Sequence, residues 1–373
     1  MSKGIVLLAA GGTGGHVFPA EALAFKLKER GYSVHLVTDS RAERYAGKFP
    51  AEEIHVVPSA TIGSKNPVAV ARSLWTLWSG MRAAKKLIQR LQPVIVVGFG
   101  GYPTVPPLLA ATRLGVPSMI HEQNAVMGRA NKALATRVQA IAGGFLPEGG
   151  AAFPDKTVTT GNPVRPAIIA AAEVPYTPSH PGEAFNLVVF GGSQGAQYFQ
   201  GAADGDQPAR RRASRAPPHH PAGASRGHGD GQRLRRQAGD GGRYRTLLYR
   251  HGREAGEAHL VICRSGASTV SEISVIGRPA VLVPYPHALD HDQAANAAAL
   301  AATGGAKVIA QSELSPEKIA AILTAVMNDP EKLSHMAAAA KLAGKPDAAN
   351  LLADMVEAIA AGRTIAEFKR TRA

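Results

Sequence analysis

The residues best suited to chemistry lie between Ala258 and Asn296. A short apolar run at His259–Cys263 is followed by small residues and by a helical pattern that opens at Ser268. A strand that turns into a helix through small residues directs several backbone N–H groups, and the positive end of the helix dipole, at one point. Such a point suits a phosphate, and the carboxylate of Glu272 could accept hydrogen bonds from sugar hydroxyls. The alternative is that Glu272 only complements the helix dipole and no ligand binds.

A second unit of the same kind follows directly. Gly277-Arg278-Pro279 ends the first helix, Ala280–Val283 is another apolar run, and polar residues open a second helix at Asp290–Asn296. Ligands of open α/β sheets bind at the carboxyl ends of the strands. The two units together therefore predict a ligand site in this half of the chain.

Glycine-rich segments follow two other apolar runs. Ile5–Ala9 leads into residues 11–16, Gly-Gly-Thr-Gly-Gly-His, and then into a helix predicted to start near Val17, while Gly191–Ala196 repeats the pattern. Glycine lets a ligand approach the backbone closely, so both loops are candidate phosphate sites. Asp39 suggests an NAD site as the alternative for the first loop, but the G-x-G-x-x-G spacing of such sites is absent there.

Two titratable side chains are candidates for catalysis. His16, at the end of the first glycine loop, has an unperturbed pKa near neutrality and could take a proton from an attacking hydroxyl. It could instead bind a phosphate or cap the loop. Glu122 follows His121 at the end of a predicted strand and could orient a catalytic group or an acceptor. A buried structural pair of His121 and Glu122 is the alternative.

Strand-length apolar runs alternate with helical patterns along the first half of the chain and resume in the second. Because these runs are apolar on both faces, they predict parallel sheets that are covered on both sides. The predicted fold class is therefore α/β, with Rossmann-like domains at residues 1–162 and 163–344 and a proline-flanked hinge at residues 161–166. In the second domain, Ser315 should cap a helix whose first residue is Pro316.

Charge and cysteine content limit the setting of the protein. The chain has 373 residues, a formal net charge of +14 and one cysteine, Cys263. A single cysteine cannot form a disulfide framework, which fits a reducing cytosol. A strongly basic chain ordinarily suggests nucleic acid or anionic lipid as a partner. Here, however, +8 of the +14 lies in residues 200–253.

Residues 200–253 do not have the pattern of a folded α/β protein. They hold 12 Arg, 10 Gly, 8 Ala and 4 Pro among 54 residues, without helical or strand periodicity. The segment should therefore supply no buried strand. One explanation is an Arg/Gly-rich arm for nucleic acid. We favour another, in which a GC-rich stretch of the gene is translated out of frame between two compensating indels. The second domain would then lack a strand and a helix, and the chain would have little or no activity.

Both tryptophans lie in one helical pattern. Leu74, Leu77, Trp78 and Met81 share one face, with Trp75 beside them and basic residues nearby. A stripe of this kind is commonly buried in a core. Tryptophans flanked by basic residues also fit a helix that rests on anionic lipid, so Leu74, Trp75 and Trp78 are candidate membrane residues.

Taken together, the motifs resemble glycosyltransferase family 28. The matching segments occur in family order and cover most of the chain outside residues 200–253: residues 11–16, 98–102, 121–124, 161–165, 191–196 and 258–296. The resemblance implies a GT-B fold, in which two Rossmann-like domains face a cleft and the final helix, from about residue 345, packs back on the first domain. No metal or cofactor is expected, because this fold uses helix dipoles where other glycosyltransferases use a divalent ion.

The resemblance also implies an activity. The expected reaction is the inverting transfer of N-acetylglucosamine from UDP-N-acetylglucosamine (UDP-GlcNAc) to the C4 hydroxyl of a lipid-linked diphospho-muramyl-pentapeptide in peptidoglycan synthesis. The expected setting is peripheral attachment to the cytoplasmic side of the inner membrane, with cell-wall and division proteins as partners and no nucleic acid. The alternatives are another UDP-sugar transferase and a non-catalytic protein that binds a nucleotide sugar or nucleic acid.

Roles for particular residues follow from the same resemblance. Catalysis is expected of His16 and Glu122. The acceptor diphosphate is expected at two glycine loops, which contain Gly11, Gly12, Gly100, Gly101 and Tyr102. The UDP-sugar is expected at Thr13, Gly14, Gly15, Asn124, Arg165, Ser193, Ala267, Ser268, Thr269, Val270, Ser271, Glu272 and Gln293. For Arg165 the alternative is a salt bridge at the hinge, and for Asn124 it is a plain turn residue.

Overall fold

The strands of this protein form two parallel sheets. The computed structural model describes residues 2–39, 49–60, 66–147, 152–191, 244–247, 255–288 and 292–372. The first sheet has seven strands in the order β3-β2-β1-β4-β5-β6-β7. Their bounds are β1 Ile5–Ala9, β2 Ser33–Thr38, β3 Glu53–Val56, β4 Ile95–Gly98, β5 Ser118–Glu122, β6 Ala140–Gly143 and β7 Thr157–Thr159.

Helices cover both faces of the first sheet, because its strands are apolar on both sides. In β1, Val6 and Leu8 belong to one hydrophobic core, while Leu7 and Ala9 belong to the core on the opposite face. This is the two-residue alternation of a strand that is buried on both faces. The helices that follow these strands are α1 Gly14–Glu29, α2 Pro67–Leu91, α3 Val105–Arg113 and α4 Arg129–Ala135.

The second sheet has five strands in the order β12-β11-β10-β8-β9, again all parallel. Its strands are β8 Phe185–Phe190, β9 Tyr244–Leu247, β10 Leu260–Cys263, β11 Ala280–Leu282 and β12 Ala306–Val308. The helices of this part are α5 Pro166–Ala171, α6 Ala267–Ile276, α7 Asp292–Ala301, α8 Pro316–Met327 and α9 Pro330–Ala343. The predicted α/β class with two Rossmann-like sheets is confirmed.

The last two helices return to the first sheet. These are α10 Ala348–Ala360 and α11 Ile365–Arg370. Leu352, Val356 and Phe368 lie in the same buried core as Val6 and Leu36. The chain therefore closes its first core with residues from its own C-terminus.

The starts of two helices test the sequence-based boundaries. The Ser315 hydroxyl accepts a hydrogen bond from the backbone N–H of Lys318, and α8 begins at Pro316, as predicted. By contrast, α1 begins at Gly14, three residues before the predicted Val17. The last residues of the glycine loop therefore form the first turn of α1. The N–H groups of such a first turn have no partner within the helix.

Residues 200–253, which were expected to supply no buried strand, supply one strand at the edge of the second sheet. Tyr244–Leu247 form β9, which pairs in parallel with β8 at the edge of the second sheet. Backbone hydrogen bonds to an edge are available to any sequence, so composition did not reveal this pairing. The other residues of the segment lie outside the described part of the chain.

The tryptophan stripe on α2 lies at the surface, and its Leu77 and Met81 are half-buried. Leu74, Trp75 and Trp78 are exposed, with Trp75 at 66%. The rings of Trp75 and Trp78 lie 4.9 Å apart, and the guanidinium of Arg82 lies over the Trp78 ring. Among the described residues, no helix is both long and apolar enough to cross a bilayer.

Candidate active site

The N-termini of α1 and α6 meet between the two sheets. The Ser268 hydroxyl, in the first turn of α6, donates to the backbone oxygen of Gly15 at 3.3 Å. Among the described residues, neither helix start is capped by a side chain, at Thr13 for α1 or at Gly266 for α6. The first N–H groups of both helices are thus available to an anion. Two positive helix ends therefore face one space.

His16 lies in the first turn of α1. Its Nδ1 is 3.1 Å from the backbone oxygen of Gly11 and 3.3 Å from the Thr13 hydroxyl. Because a carbonyl oxygen only accepts, Nδ1 carries the proton, and Nε2 keeps a lone pair. Gly100 and Gly101 have φ of 86° and 76°, which favours glycine, and a Cβ on either would lie 3.2 Å from the imidazole ring of His16.

The electrostatic setting of His16 keeps its ring neutral. Burial lowers the pKa of His16, and the carboxylates of Glu122 and Asp292 oppose that shift without reversing it. A neutral imidazole with a free Nε2 can accept a proton near neutral pH. His16 therefore has both the tautomer and the protonation state of a general base.

Glu122 organises the loop after β5. Its Oε1 accepts from the backbone N–H and the side-chain amide of Asn124, at 3.0 and 3.2 Å. Its Oε2 accepts from the Gly128 N–H at 3.0 Å and from the Asn131 amide at 2.8 Å. With both oxygens engaged, the carboxylate holds this loop and lends negative charge to the site of His16. The geometry favours an orienting role for Glu122.

His121 and Glu122 bond to different partners. His121 Nε2 contacts the backbone oxygen of Gly161 at 3.1 Å, and the Gln123 amide lies 3.1 Å from its Nδ1. Burial lowers the pKa of His121 to about 4. His121 is therefore a neutral core histidine that ties β5 to the segment between the sheets.

Asn296 joins the second half of the chain to the loop that Glu122 holds. Its Oδ1 accepts from the Ala125 N–H at 2.9 Å. Its Nδ2 donates to Asn124 Oδ1 at 3.0 Å and to the backbone oxygen of Ser265 at 3.3 Å. The side chain is fully buried. Asn124, predicted to contact a sugar, is thus positioned by a residue 172 positions away.

Arg165 and Glu272 form the second link between the halves. The guanidinium of Arg165 donates to Glu272 Oε1 at 3.1 Å and lies over the ring of Phe18, a residue of α1. Beside it, the amide of Asn162 donates to the Ser271 hydroxyl at 2.9 Å. The hinge salt bridge, which was the alternative for Arg165, is therefore present, and Glu272 is positioned by it.

The remaining predicted residues are distributed as follows. Ala267, Thr269 and Val270 lie in the first turn of α6, and Tyr102 begins a short 3₁₀ helix after Gly101. Gln293 lies at the start of α7, where its Oε1 accepts from the Tyr285 N–H at 3.0 Å. Gly12 has a φ of 81°, a left-handed conformation that favours glycine. Ser193 lies outside the described residues.

Sequence reasoning missed two positioning residues. Asn296 was noticed only as part of a polar helix start. Arg264 is buried at the end of β10, where it donates to the backbone oxygens of Val283 and Pro284 and to the Gln311 side chain. An arginine directly after a buried strand was the available signal, since such a charge needs several partners.

Within the described part of the chain, metal-ligating side chains do not gather in this site. Among the described residues, the one group of three that could share a metal ion consists of His35, Glu53 and His55, on β2 and β3. The described residues between the sheets therefore offer helix N-termini, the neutral imidazole of His16 and hydrogen-bonded carboxylates.

Comparison with known proteins identifies the family. The profile of the glycosyltransferase family 28 N-terminal domain matches residues 6–142, and that of the C-terminal domain matches residues 186–352. Two curated relatives carry the name UDP-N-acetylglucosamine–N-acetylmuramyl-(pentapeptide) pyrophosphoryl-undecaprenol N-acetylglucosamine transferase. The one from Rhizobium johnstonii is 86% identical and the one from Rhizobium leguminosarum bv. trifolii is 84% identical, with all of each chain covered.

A solved structure agrees with the sequence relatives. MurG of Acinetobacter baumannii is 27% identical, with a TM-score of 0.71 over 95% of this chain and 99% of that one. The predicted family and its two-domain GT-B fold are thus confirmed by sequence and by structure. This chain belongs to glycosyltransferase family 28.

Proposed function

We propose that this protein transfers N-acetylglucosamine from UDP-GlcNAc to the C4 hydroxyl of a lipid-linked diphospho-muramyl-pentapeptide, with inversion. The names of the relatives at 84–86% identity support the donor and the acceptor. The structural observation that carries the proposal is the uncapped start of α6, placed against Gly15 and the loop of His16. The start of α6 can bind a leaving diphosphate, while His16 can receive a proton.

The reaction needs charge stabilisation and a base. When the sugar leaves UDP, negative charge develops on the diphosphate, and the N–H groups at Ala267–Thr269 with the α6 dipole stabilise it. The acceptor hydroxyl loses its proton as it attacks, and Nε2 of His16 can accept that proton. Arg165 holds Glu272 and Asn296 holds Asn124, so that both are positioned to bind the sugar.

The two halves of the chain divide these tasks. In this proposal residues 1–162 receive the acceptor, with its diphosphate at the loops around Gly11 and Gly100. Residues 163–344 bind UDP-GlcNAc, and Gln293 contacts its sugar. The separate matches of the family 28 N-terminal and C-terminal domains, at residues 6–142 and 186–352, support a division into two halves.

The acceptor is attached to a lipid, so the protein has to work at a membrane surface. The exposed Leu74, Trp75 and Trp78 of α2, with Arg82 against Trp78, support peripheral attachment to anionic lipid at the cytoplasmic side of the inner membrane. Other cell-wall and division proteins are further proposed partners.

Residues 200–253 bear on how active this chain is. The 86% identity over 378 aligned positions leaves about 53 positions that differ, against 54 residues in the segment. If those differences fall in residues 200–253, an out-of-frame stretch accounts for them. Resequencing decides the point: an in-frame stretch with α/β periodicity supports the interpretation, and the same arginine-rich codons refute it.

The test of function is UDP release by the full chain with UDP-GlcNAc and a lipid-linked acceptor. Release should need both substrates and should fall at least about 100-fold in His16→Gln, because general base catalysis typically contributes that much. His180→Gln, which changes an exposed histidine, is the matched control. A frame-restored chain should be more active than the present one. UDP release that is equally fast without the acceptor, or that is unchanged in His16→Gln, contradicts the proposal.

A further inference from the structure

Two histidines and a glutamate form a compact cluster at the outer edge of the first sheet. Parallel pairing places His35 of β2 beside Glu53 of β3. His55 follows two residues after Glu53, so all three side chains project from the same face of the sheet. His35 Nδ1 and His55 Nε2 are 3.0 Å apart. The carboxylate of Glu53 is 4.0 Å from His35 Nδ1 and 3.4 Å from His55 Nδ1.

The cluster is buried on one side and open on the other. His35 and His55 are only 7% and 9% exposed, and their rings are parallel with centroids 5.3 Å apart. The Glu53 side chain is 55% exposed. One potential ligand atom from each residue can be chosen so that all three lie within 4.8 Å of one another. Such a cluster has the ligands of a metal site and a route for an ion to enter.

We propose that His35, Glu53 and His55 bind a divalent transition metal of the zinc class, with water in the fourth position. Two imidazoles and one carboxylate suit zinc, whereas calcium and magnesium prefer oxygen ligands. Zinc–nitrogen distances of about 2.0–2.1 Å in a tetrahedral site separate two ligand nitrogens by roughly 3.3 Å. The nitrogens need to move apart by only a few tenths of an ångström from their present hydrogen-bonded distance.

The surrounding charges favour binding in part and oppose it in part. The carboxylate of Glu53, 3.4 Å from His55 Nδ1, favours a cation at the cluster. Arg90 at the end of α2 lies 3.8 Å from Glu53 Oε1 and is the cation that a metal would have to displace. Loss of the Arg90 charge should therefore strengthen binding.

The site is separate from the active site. His35 and His55 lie on β2 and β3, whereas the catalytic candidates lie on α1 and β5. The metal would hold the edge strand β3 against β2, which adds stability when bound, since a ligand that binds only the native state stabilises it.

The experiment is equilibrium dialysis of the full chain against Zn²⁺, with Co²⁺ absorption as a second probe of tetrahedral coordination. Wild type should bind one tight equivalent. Glu53→Gln should weaken that equivalent at least tenfold, His35→Gln should remove it, and Arg90→Gln should strengthen it. His180→Gln is the matched control for an exposed histidine outside the cluster and should leave the tight equivalent unchanged.

Three results would overturn the assignment. The first is the absence of a tight equivalent in the wild type. The second is a tight equivalent that persists unchanged in Glu53→Gln. Because Glu53 is exposed, that variant should fold even if His35→Gln does not, and it decides the question alone. A fall in the tight equivalent with His180→Gln would also count against the cluster.

Discussion

The contact of Asn296 with the loop of Asn124 and Ala125 gives the most specific mutational prediction. Replacing Asn296 with alanine removes three hydrogen bonds, to Ala125, Asn124 and Ser265, all from a fully buried side chain. A hydrogen bond contributes about 1 kcal/mol, and each buried group left without a partner costs about 1–3 kcal/mol. Water can reach the half-buried Asn124 and Ala125, so the three lost bonds cost about 1 kcal/mol each and about 2–4 kcal/mol together, and some of this loss falls on the loop that positions the sugar.

If all of a loss of about 2–4 kcal/mol falls on the transition state, kcat/KM falls about 30-fold to about 1000-fold, and this is the upper limit because part of the loss falls on folding stability. The assay is UDP release with varied UDP-GlcNAc, together with thermal unfolding of each variant. Asn296→Asp should be as damaging as Asn296→Ala, because a carboxylate cannot donate to Asn124 Oδ1. Asn328→Ala, at an exposed asparagine on the end of α8, is the control. A folded Asn296→Ala variant whose kcat/KM is within threefold of wild type would show that Asn296 does not position the sugar-binding loop.

Three further predictions concern other groups. Burial holds the pKa of His16 below its usual value, so kcat/KM should stay on its plateau below pH 6.5. The fall in kcat/KM at lower pH should vanish in His16→Gln. An identical fall in that variant would assign the titration to another group. Unfolded His121 takes up a proton near pH 6.5 but the native residue only near pH 4, so the free energy of unfolding should fall by about 3 kcal/mol as pH drops through that window. His121→Asn should flatten this slope in denaturant titrations, and an unaltered slope would contradict the assignment. Replacing Trp75 and Trp78 with serine should release the protein from anionic vesicles in a sedimentation assay. Leu342→Ser, which changes an exposed residue of α9, should not release it. Equal binding of both variants argues against attachment through α2.

Local features of the fold were open to sequence reasoning. The continuous apolar run at Ile5–Ala9 predicted that β1 is buried on both faces. Ser315 and Pro316 predicted the start of α8. Both depend on residues within a few positions of one another, so chain periodicity and capping preferences suffice.

The contacts that join the two halves of the chain could not be predicted from the sequence. Asn296 meets Asn124 across 172 positions, and Arg165 meets Glu272 across 107. Such pairs depend on how two domains approach each other, which periodicity does not encode. For Arg165 the sequence left two readings, and only the geometry showed that its charge is already paired.

The most direct measurement is a crystal structure of the full chain with UDP-GlcNAc bound. Diphosphate oxygens should lie within about 3 Å of backbone N–H groups at Ala267–Thr269, as at other helix N-termini that bind anions. The anomeric carbon should face His16. A nucleotide seated away from the start of α6, or a sugar turned away from His16, would contradict it.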